Sequence, residues 1–293
     1  MSKPETGSRQ AVETLLARAR ARRAQSAAPV VAEGDEALSS TPTVAAQDIP
    51  ASNYRIDQFE AYQTLKLQKA LADQAGLENP FFRLHEGVAR ATSRVEGREV
   101  LNFATYNYLD LNGQPAVNAA AIEAIGRYGV SASASRLVSG ERPPHRALET
   151  ALAGLYGVDD AVVLVSGHAT NVTTIAMLLG PRDLIVHDRL IHNSIYEGAR
   201  LSGAQRRAVA HNDWRAVDAL LTRERGRFEK VLIVVEGVYS MDGDIAPLDK
   251  LVAIKRKHKT LLMVDEAHAL GVLGQTGRGS AEHFGLAPDD VDI

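Results

Sequence analysis

Short apolar runs alternate with amphipathic segments over the second half of the chain. Four apolar runs stand out, at 161–166 (AVVLVS), 183–187 (DLIVH), 231–236 (VLIVVE) and 261–265 (LLMVD). Segments with apolar residues at helical spacing lie between or beside them, at 169–179, 194–201, 214–225 and 247–258, and a shorter strand is predicted at 207–210. Continuous apolar runs joined by amphipathic helices are typical of a mostly parallel sheet covered on both faces. The pattern predicts a doubly wound α/β domain.

The pattern before this domain is weaker. Residues 1–50 are rich in Ala, Arg, Ser, Pro and Glu without sustained periodicity, so we predict a disordered extension. A short basic helix at Ala11–Arg23 would fit a transit peptide, a docking helix or a solvated segment, although Glu5 and Glu13 argue against a transit peptide. A helix is predicted at 56–75 and a strand at 99–103. We therefore divide the chain into 1–50, a helix and small strand segment at 51–110, and the α/β domain at 111–293.

Composition narrows the function classes. The 293 residues are 45% hydrophobic and 24% charged, with 33 Lys and Arg against 36 Asp and Glu. This balance gives no surplus of positive charge for nucleic acid. The absence of cysteine excludes disulfides, thiolate metal sites and a cysteine nucleophile. No run approaches the roughly 18–20 apolar residues of a membrane span. We expect a cytoplasmic α/β enzyme.

Polar side chains follow the predicted strands where each one ends. These residues are Gly167 and His168 after the first strand, His192 after the second, Ser240 after the third, and Asp265 with His268 at the fourth. In open α/β sheets, ligands bind beyond the carboxyl ends of the strands. We therefore expect these side chains to surround one ligand site.

Gly167, Asp265 and His192 also have structural explanations. The turn at Gly167 leads into a helix amino terminus, which binds a phosphate or simply forms a tight corner. Asp265 either caps the next helix or pairs with a protonated ring nitrogen of a cofactor. His192 is either a solvated or capping residue of its loop or a group for stacking or acid–base chemistry, with His187 as its competitor, whereas His211 is predicted to be structural. No metal site is predicted, because no histidine pair has helical ligand spacing and no thiolate is present.

Longer motifs carry a resemblance to a known family. They are TYNYL at 105–109, SR at 135–136 with Gly140, SG at 166–167, HNS at 192–194, EGVYSMDGD at 236–244, VDEAH at 264–268 and a glycine-rich stretch at 271–280. Over roughly residues 55–293 the chain resembles the α-oxoamine synthases, pyridoxal-phosphate enzymes of fold-type I. This family includes 8-amino-7-oxononanoate synthase, 2-amino-3-ketobutyrate CoA ligase, 5-aminolevulinate synthase and serine palmitoyltransferase.

The resemblance implies a role for each residue beyond the strands. Gly167 and His168 fall where the family holds the phosphate of pyridoxal 5′-phosphate, although members usually have an aromatic or hydrophobic residue in place of His168. His192 falls on the histidine that stacks on the pyridine ring and helps to position the amino acid, and it is our candidate catalytic residue. Asp265 falls on the carboxylate that pairs with the pyridine nitrogen. Ser240 and His268 fall near the phenolic oxygen of the cofactor.

The resemblance also implies the substrates and the assembly. The family joins an amino acid to an acyl thioester, carried by CoA or an acyl carrier protein, and releases carbon dioxide to leave an α-amino ketone. Asn107 lies in the loop on the acyl-substrate side, and Asp110 stands where many members have glycine. Fold-type I enzymes usually build this site at a homodimer interface, so a homodimer is implied.

One catalytic group of the family is missing from the printed sequence. Its Schiff-base lysine follows a VDI-like sequence, and the chain ends at Val291-Asp292-Ile293 with none of its eight lysines in that context. We expect a fragment whose large domain is incomplete at the carboxyl end and which is inactive alone. Two alternatives stay open: another fold-type I activity such as an aminotransferase or lyase, and a non-catalytic module that binds a carrier protein.

Overall fold

The computed structural model describes residues 45–293, so the predicted helix at 11–23 and most of the predicted extension at 1–50 lie outside the described residues. The chain divides into two compact units, Met1–Phe82 and Arg83–Ile293. In the first unit, three 3-10 turns, the last at Ile56–Gln58, precede helix α1 (Glu60–Gln74). The helix predicted from residue 56 therefore begins one turn later. The domain boundaries proposed from the sequence stay a prediction.

The second unit opens with a small antiparallel sheet. Its strands are β1 (His85–Glu86), β2 (Thr92–Val95) and β3 (Arg98–Leu101). Val95 pairs with Arg98 across a two-residue turn at Glu96 and Gly97, both of which have positive φ angles (51° and 75°). A type I′ turn needs this left-handed conformation twice, which glycine adopts without strain. The predicted strand at 99–103 is thus the second arm of a hairpin.

The rest of the unit alternates helices with parallel strands. The helices are α2 (Pro115–Tyr128), α3 (Pro143–Tyr156), α4 (Gly167–Leu178), α5 (Asn193–Leu201), α6 (Trp214–Glu224), α7 (Leu248–His258) and α8 (Ser280–His283). The strands are β4 (Leu184–Asp188), β5 (Gln205–Val209), β6 (Val231–Glu236) and β7 (Leu261–Asp265). They form one parallel sheet in the order β5-β4-β6-β7. The four corresponding predicted strands agree to within two residues.

The apolar run at 161–166 does not form a strand. Its backbone pairs with no strand among the described residues, and Val162 and Val165 are 73% and 93% exposed. The segment instead leads into α4, whose amino terminus is capped by the Ser166 side chain accepting a hydrogen bond from the amide of Ala169 at 3.1 Å. An apolar run becomes a strand only when a neighbouring strand satisfies its backbone groups.

Both faces of the parallel sheet are covered. On one face, Leu184, Val186 and Ile233 pack with residues of α6 and α7. On the other face, Ile185 and Leu232 pack with residues of α4 and α5. Alternate residues of each strand thus enter opposite cores, which is why these strands read as continuous apolar runs. The predicted doubly wound α/β architecture is confirmed.

No helix within residues 45–293 is both long enough and apolar enough to cross a bilayer.

Candidate functional site

Three carboxylates end three neighbouring strands of the parallel sheet. Asp188 ends β4, Glu236 ends β6 and Asp265 ends β7, with Glu236 and Asp265 paired in register. Asp188 and Glu236 are buried and Asp265 is half-buried. We call these residues, together with the loops that directly follow β4, β6 and β7 and the first turns of α4 and α5, the carboxyl rim. It is the edge at which an open α/β sheet binds its ligands.

Asp265 is held at both of its oxygens. Its Oδ2 accepts a hydrogen bond from Nδ2 of Asn171 at 2.7 Å, and its Oδ1 accepts one from the amide of Ala267 at 3.0 Å. The bond to Ala267 is local, but the residues after β7 form turns and the next helix, α8, begins at Ser280, so this bond is not the helix cap that we considered from the sequence. The bond to Asn171 comes from α4, 94 residues earlier in the chain. Both oxygens are therefore fixed in direction while the carboxylate stays half-buried.

His192 connects to the same network. It caps the amino terminus of α5, where its Nδ1 accepts the amide of Ser194 at 3.2 Å and lies 2.7 Å from Oγ of that residue. Oγ of Ser194 in turn accepts a hydrogen bond from Nδ2 of Asn171 at 3.0 Å. The competitor His187 is buried in β4, with its Nδ1 2.8 Å from the carbonyl oxygen of Asp188. Of the two histidines, His192 is the one placed at the rim.

The amino terminus of α4 lies beside His192. The rings of His168 and His192 meet edge to face with centroids 6.2 Å apart. The amides of Gly167 and His168 belong to the first turn of a helix, where no intrahelical acceptor exists. A side chain added at Gly167 would meet no atom within 4 Å, so the space over this turn is open. This geometry suits an anion.

His268 is contacted by two tyrosines from the 105–109 segment. Its Nδ1 lies 2.6 Å from the hydroxyl of Tyr108, and the rings of Tyr106 and Tyr108 are each 6.0 Å from its ring. Sequence reasoning selected neither tyrosine, because 160 residues separate Tyr108 from His268. The resemblance had drawn attention to Asn107 between them.

Asn107 itself binds backbone groups. Its Nδ2 donates to the carbonyl of Ala89 at 2.8 Å, and its Oδ1 accepts the amide of Asn112 at 2.9 Å. The neighbouring Asp110 has φ 51°, in the left-handed region that glycine favours. This conformation gives a physical reason for the glycine that many family members carry there. The acyl-side role of Asn107 stays a prediction.

Glu236 is a rim residue that sequence reasoning quoted only as part of a motif. Burial, followed by the nearby negative charge of Asp265, raises the pKa of Glu236 to about 7, while hydrogen bonds from the backbone of His192 and Ser240 act in the opposite direction. Ser240 is exposed in the turn after β6. Its backbone therefore contributes to the rim, and the role predicted for its side chain stays open to test.

A second polar cluster supports the rim from one side. His211 places Nδ1 3.0 Å from Oδ1 of Asp188 and Nε2 2.7 Å from Oδ2 of Asp244. Burial lowers the pKa of His211, but hydrogen bonds to the two aspartates outweigh it, so the pKa is raised overall. His211 thus joins the end of β4 to the loop that carries Ser240, in line with its predicted structural role.

The donor set at the rim fits a phosphorylated cationic aromatic ring. An open helix amino terminus can hold the phosphate, and the oriented carboxylate of Asp265 can hold a protonated ring nitrogen. His168, His192 and His268 supply flat or proton-exchanging groups around the same edge. Within residues 45–293, no three His, Asp or Glu side chains are grouped so that they could hold a metal ion.

Comparisons with known proteins identify the family of the chain. Residues 98–293 match the family described as aminotransferase class I and II. The 8-amino-7-oxononanoate synthase of Geobacter sulfurreducens is 50% identical over 198 residues, which cover 68% of this chain and 50% of that enzyme. The chain spans about half the length of the curated relatives it matches.

The chain also superposes on solved structures of serine palmitoyltransferases. The serine palmitoyltransferase of Sphingomonas wittichii superposes with a TM-score of 0.76 at 34% identity, covering 80% of this chain and 59% of that one. A variant of the serine palmitoyltransferase from S. paucimobilis with a bound PLP–myriocin aldimine superposes with a TM-score of 0.75 at 33% identity, covering 80% of this chain and 61% of that one.

Proposed function

Because the chain belongs to the aminotransferase class I and II family and, within it, to the α-oxoamine synthases, we propose that its carboxyl rim binds pyridoxal 5′-phosphate. The reaction that we propose is the condensation of an amino acid with an acyl thioester, with loss of carbon dioxide, to give an α-amino ketone. The observation that carries the proposal is the convergence of Asp265, His192 and the amino terminus of α4 at one edge of the sheet.

Each rim residue would have a defined task. The amides of Gly167 and His168 would hold the phosphate, aided by the positive end of the α4 dipole. The carboxylate of Asp265 would keep the pyridine nitrogen protonated, since a nearby opposite charge favours the charged form. When bound, the cofactor supplies an electron sink for negative charge at the α carbon of an amino acid. His268 and Ser240 would contact the phenolic oxygen.

His192 and Glu236 would handle the substrate side of this chemistry. The ring of His192 would cover one face of the cofactor, so that the amino acid reacts on the other. Its Nε2 is directed away from the hydrogen bonds at Nδ1 and would be the atom that exchanges a proton. Glu236 lies beside Asp265, and its raised pKa keeps a fraction of the carboxyl protonated near neutral pH, so it does not add a full second charge beside Asp265.

The acyl substrate would enter from the 105–109 segment. Tyr108 contacts His268, and Asn107 follows Tyr106 in the same loop. This placement supports the prediction that Asn107 lies on the acyl-thioester side, with CoA or an acyl carrier protein as the donor. We also propose that two copies of the protein assemble around the site, as the family resemblance implies.

We infer further that the 293-residue chain does not catalyse this condensation by itself. In the Arg83–Ile293 unit, four lysines form ion pairs with aspartates that lie outside the rim. The pairs are Lys230 with Asp183, Lys250 with Asp249, Lys255 with Asp292 and Lys257 with Asp218. A Schiff base needs a lysine amine within reach of the cofactor. None of these lysines is a candidate for that role.

Binding of the cofactor can be tested directly. We expect titration of the chain with pyridoxal 5′-phosphate, followed by absorbance, to saturate at one molecule per chain. Asp265→Asn should weaken binding at least about tenfold, whereas Asp249→Asn, in α7 and outside the rim, should leave it unchanged. Pyridoxal without its phosphate should bind at least about tenfold more weakly than the phosphorylated form. Equal binding of the two forms would contradict the phosphate role of α4.

The reaction class needs a separate measurement. In the full-length product of the gene, an amino acid labelled with ¹³C at its carboxyl group and an acyl-CoA should yield labelled carbon dioxide and an α-amino ketone. An aminotransferase would instead retain the label in a keto acid. Retention of the label would favour that alternative and reject the condensation.

A further inference from the structure

We propose that Asn171 is a positioning residue that fixes Asp265 and His192 relative to each other across the carboxyl rim. Asn171 lies one helical turn after Gly167 in α4, so the helix that would hold the phosphate also carries this amide. Its side chain donates to Asp265 directly and to Ser194, which contacts His192. Asp265 and His192 are the two residues that would hold the cofactor ring. The ligand part of this proposal rests on the proposed function, whereas the hydrogen-bond chain is independent of it.

The hydrogen-bond chain has a single direction. An ionised carboxylate can only accept hydrogen bonds, so the amide nitrogen of Asn171, rather than its oxygen, faces Asp265. Its two N–H groups then donate to Oδ2 of Asp265 at 2.7 Å and to Oγ of Ser194 at 3.0 Å. Because Oγ of Ser194 accepts this bond, its own hydrogen is available to donate to Nδ1 of His192 at 2.7 Å.

Two donors from Ser194 set the tautomer of His192. The backbone amide of Ser194 also donates to Nδ1, at 3.2 Å. A backbone N–H can only donate, so Nδ1 carries a lone pair and the proton of the neutral ring resides on Nε2. The chain of bonds from Asp265 through Asn171 and Ser194 therefore presents an Nε2–H to the ligand side of His192.

Asn171 and Ser194 are buried, so their hydrogen bonds depend on protein partners. Asn171 is 7% exposed and Ser194 is fully buried, so water cannot replace a lost partner. A buried amide with unmade hydrogen bonds is costly, whereas one whose N–H groups both find acceptors is not. An apolar residue at position 171 would fill the same space without fixing either Asp265 or Ser194.

The test exchanges the amide of Asn171 for a group of the same shape. Asn171→Asp removes both donors, places a negative charge beside Asp265 and offers an acceptor that draws the Ser194 hydrogen away from His192. In ¹H–¹⁵N spectra of the ligand-free chain, the Nδ1 shift of His192 should move because Nδ1 loses the hydroxyl of Ser194 as a donor, while the backbone amide of Ser194 keeps the proton of the neutral ring on Nε2. The affinity for pyridoxal 5′-phosphate should fall at least about tenfold. Thr173→Asp adds the same charge on the exposed side of α4 and should change neither readout.

Ser194→Ala separates the two ends of the chain. It removes the hydroxyl link to His192 but leaves the bond from Asn171 to Asp265, so the Nδ1 shift of His192 should move while the cofactor affinity falls less than in Asn171→Asp. Asn171→Ala is the second variant, and it should lower the affinity without added charge. Unchanged Nδ1 shifts of His192 in both Asn171→Asp and Ser194→Ala would overturn the hydrogen-bond chain. Equal losses of cofactor affinity in the two variants would show that the bond from Asn171 to Asp265 has no separate effect on cofactor binding. If the unmodified chain binds no cofactor, the proposed function fails, while the His192 shifts still decide the chain of bonds.

Discussion

At the scale of single residues, the three rim carboxylates differ in how their charge is matched. Asp188 has the imidazole of His211, and Asp265 has the donors from Asn171 and Ala267. Glu236 has no cationic partner among the described residues and lies beside Asp265. Its raised pKa follows from this difference, because burial and a like charge both disfavour the ionised form.

Glu236 should make stability fall as the pH rises. A carboxyl whose pKa is about 7 when folded and 4.5 when unfolded binds its proton more tightly in the folded protein, so the folded state loses stability as the pH rises between these two values. We expect denaturant titrations to show a loss of about 2–3 kcal/mol between pH 5 and pH 8, on the order of 1.4 kcal/mol for each unit of pKa difference. Glu236→Gln should remove most of this slope, whereas the exposed Glu229→Gln should retain it. An unchanged slope in Glu236→Gln would assign the effect to other groups.

His211 should stabilise the fold mainly at low pH. Its folded pKa is raised, so its contribution is fully present below its unfolded pKa and is lost as the pH rises through the folded value. His211→Phe keeps the edge contact with the ring of Tyr239 but leaves Asp188 without its partner. We expect a loss of about 1–3 kcal/mol at pH 6, with a smaller difference from the parent protein at pH 9. The same substitution at the exposed His283 is the control, and a pH-independent loss in His211→Phe would contradict the charged role.

At the scale of secondary structure elements, the rim depends on how closely α4 and α5 approach each other. Gly198 of α5 faces the backbone of α4, and a Cβ there would lie 3.0 Å from the carbonyl oxygen of Asn171 and 3.0 Å from Cα of Val172. The small residue lets the two helices meet, and this contact brings Ser194 next to Asn171. The hydrogen-bond chain therefore rests on a glycine that has no chemistry of its own.

Two glycine substitutions test this contact. Gly198→Ala should destabilise the protein by about 1–3 kcal/mol, because backbone atoms of α4 must move to admit the methyl group. Gly154→Ala, also inside a helix but with no atom within 4 Å of the new methyl, should stabilise it by about 0.5–1 kcal/mol. Thermal melts of the two variants give the comparison. Gains of similar size at both positions would show that α4 and α5 tolerate a wider separation.

At the scale of the whole molecule, the lysines of the Arg83–Ile293 unit lie apart from the rim. Lys230 and Lys259 precede β6 and β7, at the opposite ends of the strands from Glu236 and Asp265. We expect that borohydride reduction of the chain loaded with pyridoxal 5′-phosphate, followed by peptide mapping, will find no single lysine modified in proportion to cofactor bound. A second sample, reduced with pyridoxal 5′-phosphate at ten times the chain concentration, identifies the surface lysines that are modified nonspecifically. Stoichiometric labelling of one lysine would overturn the inference that the chain alone is inactive.

The sequence by itself determined the architecture and the location of the site. Apolar runs and helical spacings predicted the parallel sheet, because burial on both faces leaves a direct signature in residue type. The order of polar residues after the strands predicted the rim, since carboxyl ends of parallel strands share one edge. His192 and Asp265 were selected in this way, and both lie there.

Only the tertiary structure decided how the rim residues are joined. Asn171 and Asp265 are 94 residues apart, and Tyr108 and His268 are 160 apart, so no local pattern reveals either contact. The raised pKa of Glu236 arises from burial and from a neighbour on another strand, neither of which a motif records. The run at 161–166 has the composition of a strand but not its structure, because strand formation depends on a partner elsewhere in the fold. Residue type is a local property, whereas hydrogen-bond partners and burial are properties of the folded chain.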